Sequence, residues 1–151
     1  MAAGTQPIFT GTPTIGLATW LPATTANTKS DGTGTIGTDI LKVMTAGANG
    51  AFFNKLRFNP CSSVAATATT ASVIRVFLST VSSGATTNAN TLLLGELAAP
   101  SQTADQTTTA TNYIEFPLGF AVPTGYYIHF SMHHSAAANT SWECTGYGGD
   151  Y

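Results

Sequence analysis

Eight short runs of aliphatic, β-branched and aromatic residues recur along the chain, each bounded by Gly, Pro, Ser, Thr or Asn. Runs of this length are too short for stable helices, and their boundaries carry turn chemistry, so the chain reads as all-β. The runs are "GLATWLP" (16–22), "TDILKVMTA" (38–46), "GAFFNKLRFNP" (50–60), "ASVIRVFLSTV" (71–81), "TLLLGELAA" (91–99), "NYIEFPLGF" (112–120), "GYYIHFSMHH" (125–134) and "SWECTGYG" (141–148). In "GAFFNKLRFNP" alternation puts Phe52, Leu56 and Phe58 on one face and Lys55 and Arg57 on the other. "ASVIRVFLSTV" is apolar on both faces except at Arg75, the pattern of a central strand. Pro117 removes a ladder donor and assigns its run to a sheet edge or a bulge. Residues 38–46 also match helical spacing, with Thr38 and Asp39 as possible caps. The short length and flanking glycines favour a strand.

About eight short strands joined by long polar loops predict two packed antiparallel sheets, a β-sandwich of jelly-roll kind. Residues 1–16 are polar and carry Pro7 and Pro13, so they read as an extended N-terminal arm before a sandwich domain over 17–151. The expected inward set is Phe52, Leu56, Phe58, Ile74, Val76, Leu78, Ile128, Phe130, Met132 and Trp142.

Charge is scarce. Only 8% of residues are Asp, Glu, Lys or Arg, where roughly 25% is usual. The surface is therefore expected to be built from small polar residues, including 27 threonines. Self-repulsion is weak on such a surface, which suits a subunit held in a dense array. A net charge of −2 supplies no basic field for nucleic acid or anionic lipid. "MAAGTQPIFTGTP" has no basic and apolar segments of a secretory signal, and no apolar run approaches a membrane span.

The candidate chemical motifs are few. "GTGTIG" (32–37) matches a dinucleotide-binding pattern, but "ATTANTKSD" before it is no strand, so a flexible loop is the expected reading. In the 125–134 strand, Ile128, Phe130, Met132 and His134 fall on an inward face. Tyr127, His129, Ser131 and His133 fall on a face expected at the surface. Four residues of extended strand separate His129 from His133 by about 13 Å, too far for both to bind one metal. Surface and edge histidines are the expected reading. Glu115 and Glu143 point outward by alternation, and no acid, base and nucleophile come together in the pattern, so the chain is not expected to be an enzyme or to carry a cofactor or metal. Cys61 and Cys144 lack metal-site spacing, and buried free thiols are the plainer reading for a protein made in a reducing cytoplasm.

The last third, "VPTGYYIHFSMHHS" followed by "AANTSWECTGYGGDY", resembles small virion proteins of tailed bacteriophages. The matching residues are Pro123, Gly125, Tyr126, Asn139, Thr140, Trp142, Gly148, Gly149, Asp150 and Tyr151. The resemblance implies a capsid decoration or cement protein on the virion surface, made in the host cytoplasm. Its partner would be the shell of major capsid protein, and its assembly a homotrimer. The arm would supply shell contacts through Gln6, Pro7, Ile8, Phe9 and Pro13. The second reading is a carbohydrate- or receptor-binding sandwich of a fibre or tail, with Trp20, Tyr127, Tyr147 and Tyr151 as stacking candidates. Trp20 could equally belong to the core.

Overall fold

A computed structural model describes residues 11–104 and 113–151. Twelve strands are assigned in these residues: β1 (Thr12–Trp20), β2 (Gly34–Ile36), β3 (Leu41–Thr45), β4 (Ala51–Ser62), β5 (Thr67–Ala68), β6 (Ser72–Ser79), β7 (Gly84–Thr86), β8 (Thr91–Ala99), β9 (Thr103–Ala104), β10 (Ile114–Val122), β11 (Tyr127–Met132) and β12 (Thr140–Asp150). Eight of them form two four-stranded sheets, ordered β1-β12-β4-β10 and β3-β11-β6-β8, and every pairing is antiparallel. Counted along the chain among these eight, the orders are first-eighth-third-sixth and second-seventh-fourth-fifth, the double Greek-key winding of a jelly roll. The eight expected runs are these eight strands, and residues 38–46 contain a strand rather than a helix. The pairs β2-β7 and β5-β9 are additional two-stranded ribbons.

The core lies between the sheets. Leu56, Phe58, Ile74, Val76, Ile128, Phe130, Met132, Trp142 and Cys144 are buried there, and Leu78 packs against it partly covered. Phe130 is central: its ring lies 5.3 Å from that of Phe58 and 5.8 Å from that of Trp20. Three glycines make room on the inner face. A Cβ on Gly146 or Gly148 would meet Met44, and one on Gly16 would run into the backbone of Val43, so β3 comes close to β1 and β12 only because side chains are missing there.

Phe52 departs from the expected inward set. It is half-buried, and Phe53 is the fully buried residue. The reason is a bulge. Tyr147 and Gly148 are adjacent on β12, yet they oppose Lys55 and Phe53, leaving Asn54 as an extra residue on β4. On the other side Pro117 and Phe120 oppose the same pair. The bulge reverses the phase of alternation, so Phe53 and Leu56 both point inward. Pro117 sits on the edge strand β10, beside this irregularity, where its missing N–H breaks no ladder.

β1 begins at Thr12 and pairs with β12 without a break, Thr12 opposite Asp150 through Trp20 opposite Trp142. The first sheet therefore takes in Pro13 and its neighbours from the segment expected to be an arm. Residues 1–10, with Gln6, Pro7, Ile8 and Phe9, lie outside the described residues.

Candidate functional site

The outer face of the β1-β12-β4-β10 sheet follows directly from the register. One cross-strand row is Ile15, Tyr147, Lys55 and Pro117, and the next is Leu17, Thr145, Arg57 and Glu115. Ile15 is 65% exposed and Leu17 73%, and Leu21 just beyond β1 is exposed as well. Large aliphatic side chains standing side by side in water on an edge strand are uncommon on a free surface. Beside them the charged groups are tied together. Glu115 Oε1 accepts hydrogen bonds from Lys55 Nζ at 2.8 Å, Arg57 Nε at 3.0 Å and Arg57 Nη2 at 2.8 Å. The bonds from Lys55 and Arg57 hold the Glu115 carboxyl below the usual carboxylate range, and the same carboxylate raises the Arg57 guanidinium. Arg57 also lies over Tyr113, 4.2 Å from the ring centroid, and Lys55 lies 5.7 Å from the Tyr147 ring. The face thus combines an apolar edge with an aromatic-flanked cluster in which two cations share one carboxylate, so that it carries a small positive excess.

The bulge at Asn54 opens a groove on this sheet. It has a volume of about 310 Å³ and is lined by Phe52, Asn54, Tyr147, Gly148 and Gly149. Gly149 stands opposite Phe52 with no side chain to fill the space. Alternation alone does not reveal this groove, because it depends on the extra residue.

The candidates singled out in the sequence separate in space. Pro13 is exposed on β1. Trp20 is fully buried, with its Nε1 donating to the His134 carbonyl at 3.1 Å, so it is a core residue and offers no ring to a sugar. Tyr127, Tyr147 and Tyr151 are half-buried. "GTGTIG" is not a flexible loop. It contains β2, which pairs with β7, and Gly32 and Gly37 take positive φ of 82° and 89° at the turns around it. Cys61 and Cys144 are free thiols. Cys144 opposes Phe58 and is buried in the core, whereas Cys61 opposes Ser141 and lies on the outward-facing alternation of β4. Burial raises both thiols, Cys61 to about 11.

The expectation for the outer face of β11 is overturned. His129 and Ser131 are both fully buried, not at the surface. Residues 21–40 cover them. The Asn27 N–H bonds the Met132 carbonyl at 2.9 Å, the Arg75 guanidinium bonds the Asn27 carbonyl at 3.0 Å, and Gly32 packs against Thr91 at the start of β8. The segment therefore crosses from one end of the β3-β11-β6-β8 sheet to the other. The sequence pattern marks the face as polar, but polarity does not exclude a covering layer. His133, half-buried, and the exposed His134 follow β11 rather than belonging to it. Among the described residues, no three His, Cys, Asp or Glu side chains gather as metal ligands.

No protein-family model matches the chain, and no curated protein matches it. The chain is weakly similar to part of a chain in the structure of infectious bursal disease virus Gx strain, with 15% identity and a TM-score of 0.30. The match covers 98% of this chain and 35% of that one, and likeness at that level carries no argument.

Proposed function

We propose that the chain is a structural virion protein that decorates and stabilises a bacteriophage capsid from the outside. The observation that carries this reading is the exposed Ile15–Leu17 edge beside the bonded Lys55–Glu115–Arg57 cluster, on the outer face of a jelly-roll sheet. Such a face buries apolar area against a neighbour at its Ile15–Leu17 edge, and its one excess positive charge suits a neighbour that offers an acceptor. The low overall charge and the resemblance of the last third to small phage virion proteins support the same reading. A cement subunit needs only weak individual contacts, because many act together on one shell.

In this reading the partner is the shell of major capsid protein, and the protein assembles as a homotrimer that meets three neighbouring shell subunits alike. The N-terminal arm adds contacts through Gln6, Pro7, Ile8 and Phe9. The test is co-sedimentation of the purified protein with undecorated phage shells. Saturable binding at a fixed copy number per shell is expected, and absence of binding at micromolar concentrations would overturn the reading.

The groove beside Asn54 favours one second reading, a glycan- or receptor-binding sandwich. Two aromatic side chains, Phe52 and Tyr147, flank an amide in a space of sugar size. Binding of the isolated protein to a glycan array, lost in Tyr147→Ala, would favour it over cementing.

A further inference from the structure

The outer face of the β3-β11-β6-β8 sheet holds a small second core that is separate from the one between the sheets. Phe77 and Ile40 are fully buried yet stand outside the inter-sheet cluster. His129 lies opposite Phe77 on one side and Lys42 on the other, and its ring stacks with Tyr127 at 6.2 Å between centroids. Neither ring nitrogen of His129 has a hydrogen-bond partner, nor does the buried Ser131 hydroxyl on the same face. Thr86 on β7 adds a further buried hydroxyl without a partner.

We propose that residues 21–40, together with the β2-β7 ribbon, form an acid-released cover over this sheet, and that protonation of His129 is the trigger. A neutral imidazole can lie buried at modest cost, but an imidazolium needs an acceptor or water. Among the described residues packed around His129, no carboxylate is free to serve it. On β3 the facing charge is Lys42, a cation. On β6 the facing residue is the uncharged Phe77, with the cation Arg75 diagonal to His129 and already bonded to Glu96 of β8 at 2.6 Å. On β11 the neighbours are Tyr127 and Ser131, with His133 beyond the strand end. The cover carries three charged residues: Lys29 and Asp31 are exposed, and the Asp39 carboxylate accepts the Thr35 N–H. The β7 strand carries no charge. Opening the cover to water is the remaining way to solvate a charged His129.

The hydrogen bonds that tie the cover to the sheet are few, beside the apolar burial at Ile40 and Phe77. Besides the two contacts of Asn27, the Ser135 hydroxyl donates to the Thr24 carbonyl at 2.8 Å. The inter-sheet core includes none of residues 21–40, so the sandwich keeps its packing when the cover leaves. The sign follows from linkage. Burial first, and Lys42 second, push the imidazole from its usual 6.5 down to about 4. The open form therefore binds the proton more tightly, and the closed form is favoured fully above pH 6.5 and progressively less as pH falls toward 4. The open-to-closed ratio rises by about tenfold per pH unit in that window.

The test is amide hydrogen exchange of the full chain between pH 7 and pH 4, corrected for intrinsic rates. The Thr25 and Asn27 amides, which bond Thr38 and Met132, should lose protection about tenfold per unit below pH 6.5, while amides of β4 and β12 keep theirs. His129→Phe should flatten this dependence, whereas His133→Gln and Glu96→Gln should leave its slope in place. A cover whose protection does not change with pH overturns the proposal, as does an unaltered slope in His129→Phe, or a slope abolished by either of the other two variants. Should His129→Phe not fold, NMR titration of His129 in the native chain decides. Protonation confined to pH below 5 and concurrent with loss of cover protection supports the trigger, and titration near pH 6.5 with the cover closed overturns it.

Discussion

Gly16 of β1 lies directly beneath the carbonyl of Val43 on β3, so close that any side chain at position 16 would overlap the backbone. The two strands belong to different sheets. Backbone cannot swing aside as the end of a flexible side chain can. Gly16→Ala is therefore expected to destabilise the sandwich by about 1–3 kcal/mol or more, through forced separation of β1 from β3. Gly146→Ala meets the Met44 side chain instead and should cost less. Urea unfolding of the two variants checks both the size and the order of the effects.

Phe130 is fully buried between Phe58 and Trp20. Phe130→Ala leaves a cavity that three strands cannot close by small shifts, and the expected loss is about 3–5 kcal/mol. Replacing Phe52, which the bulge at Asn54 turns out of the core, should cost clearly less than replacing Phe53. Equal losses at Phe52 and Phe53 in chemical denaturation would contradict the assigned bulge.

The two cysteines lie on opposite sides of one sheet, which puts a bridge between them out of reach of the native backbone. Thiol titration in denaturant without reductant should count two free groups. In the native protein at pH 8, Cys144 should be almost inert and Cys61 slow, because burial raises both thiols and leaves little thiolate. Fast labelling of Cys144 without unfolding would show that the core opens.

Ile15 and Leu17 are exposed, so Ile15→Asp with Leu17→Asp should change the stability of the isolated protein by less than about 1 kcal/mol. On the proposed function the same pair should abolish shell binding, since two carboxylates would be buried without partners. Calorimetry of the free protein and co-sedimentation with shells separate the two effects. Wild-type binding by this variant would remove the face from the interface.

Deleting residues 1–10 leaves β1 intact from Thr12 onward and should leave a folded sandwich. Weaker shell binding by the truncated protein is expected if the arm contributes contacts. Undiminished affinity would confine the interface to the sheet face. Sedimentation of the intact protein as a monomer at high concentration would exclude the trimer.

The strands were legible in the sequence because each is a short run of strand-forming residues closed by turn residues, and the period of two assigns most faces locally. Leu56, Phe58, Ile128, Phe130, Met132, Trp142 and Cys144 all point inward by that rule alone. Glu115 was legible as outward, with Lys55 and Arg57 as available partners. Three features depended on tertiary structure. The phase of β4 beyond Asn54 is set by an extra residue whose position depends on the strands on both sides. The pairing of Ile15 and Leu17 with Tyr147, Thr145 and the ion cluster comes from long-range register, which no local pattern encodes. The burial of His129 comes from residues 21–40 folding back across a sheet face. A polar side chain reads as exposed in sequence, and only the chain that lies over it decides whether water reaches it.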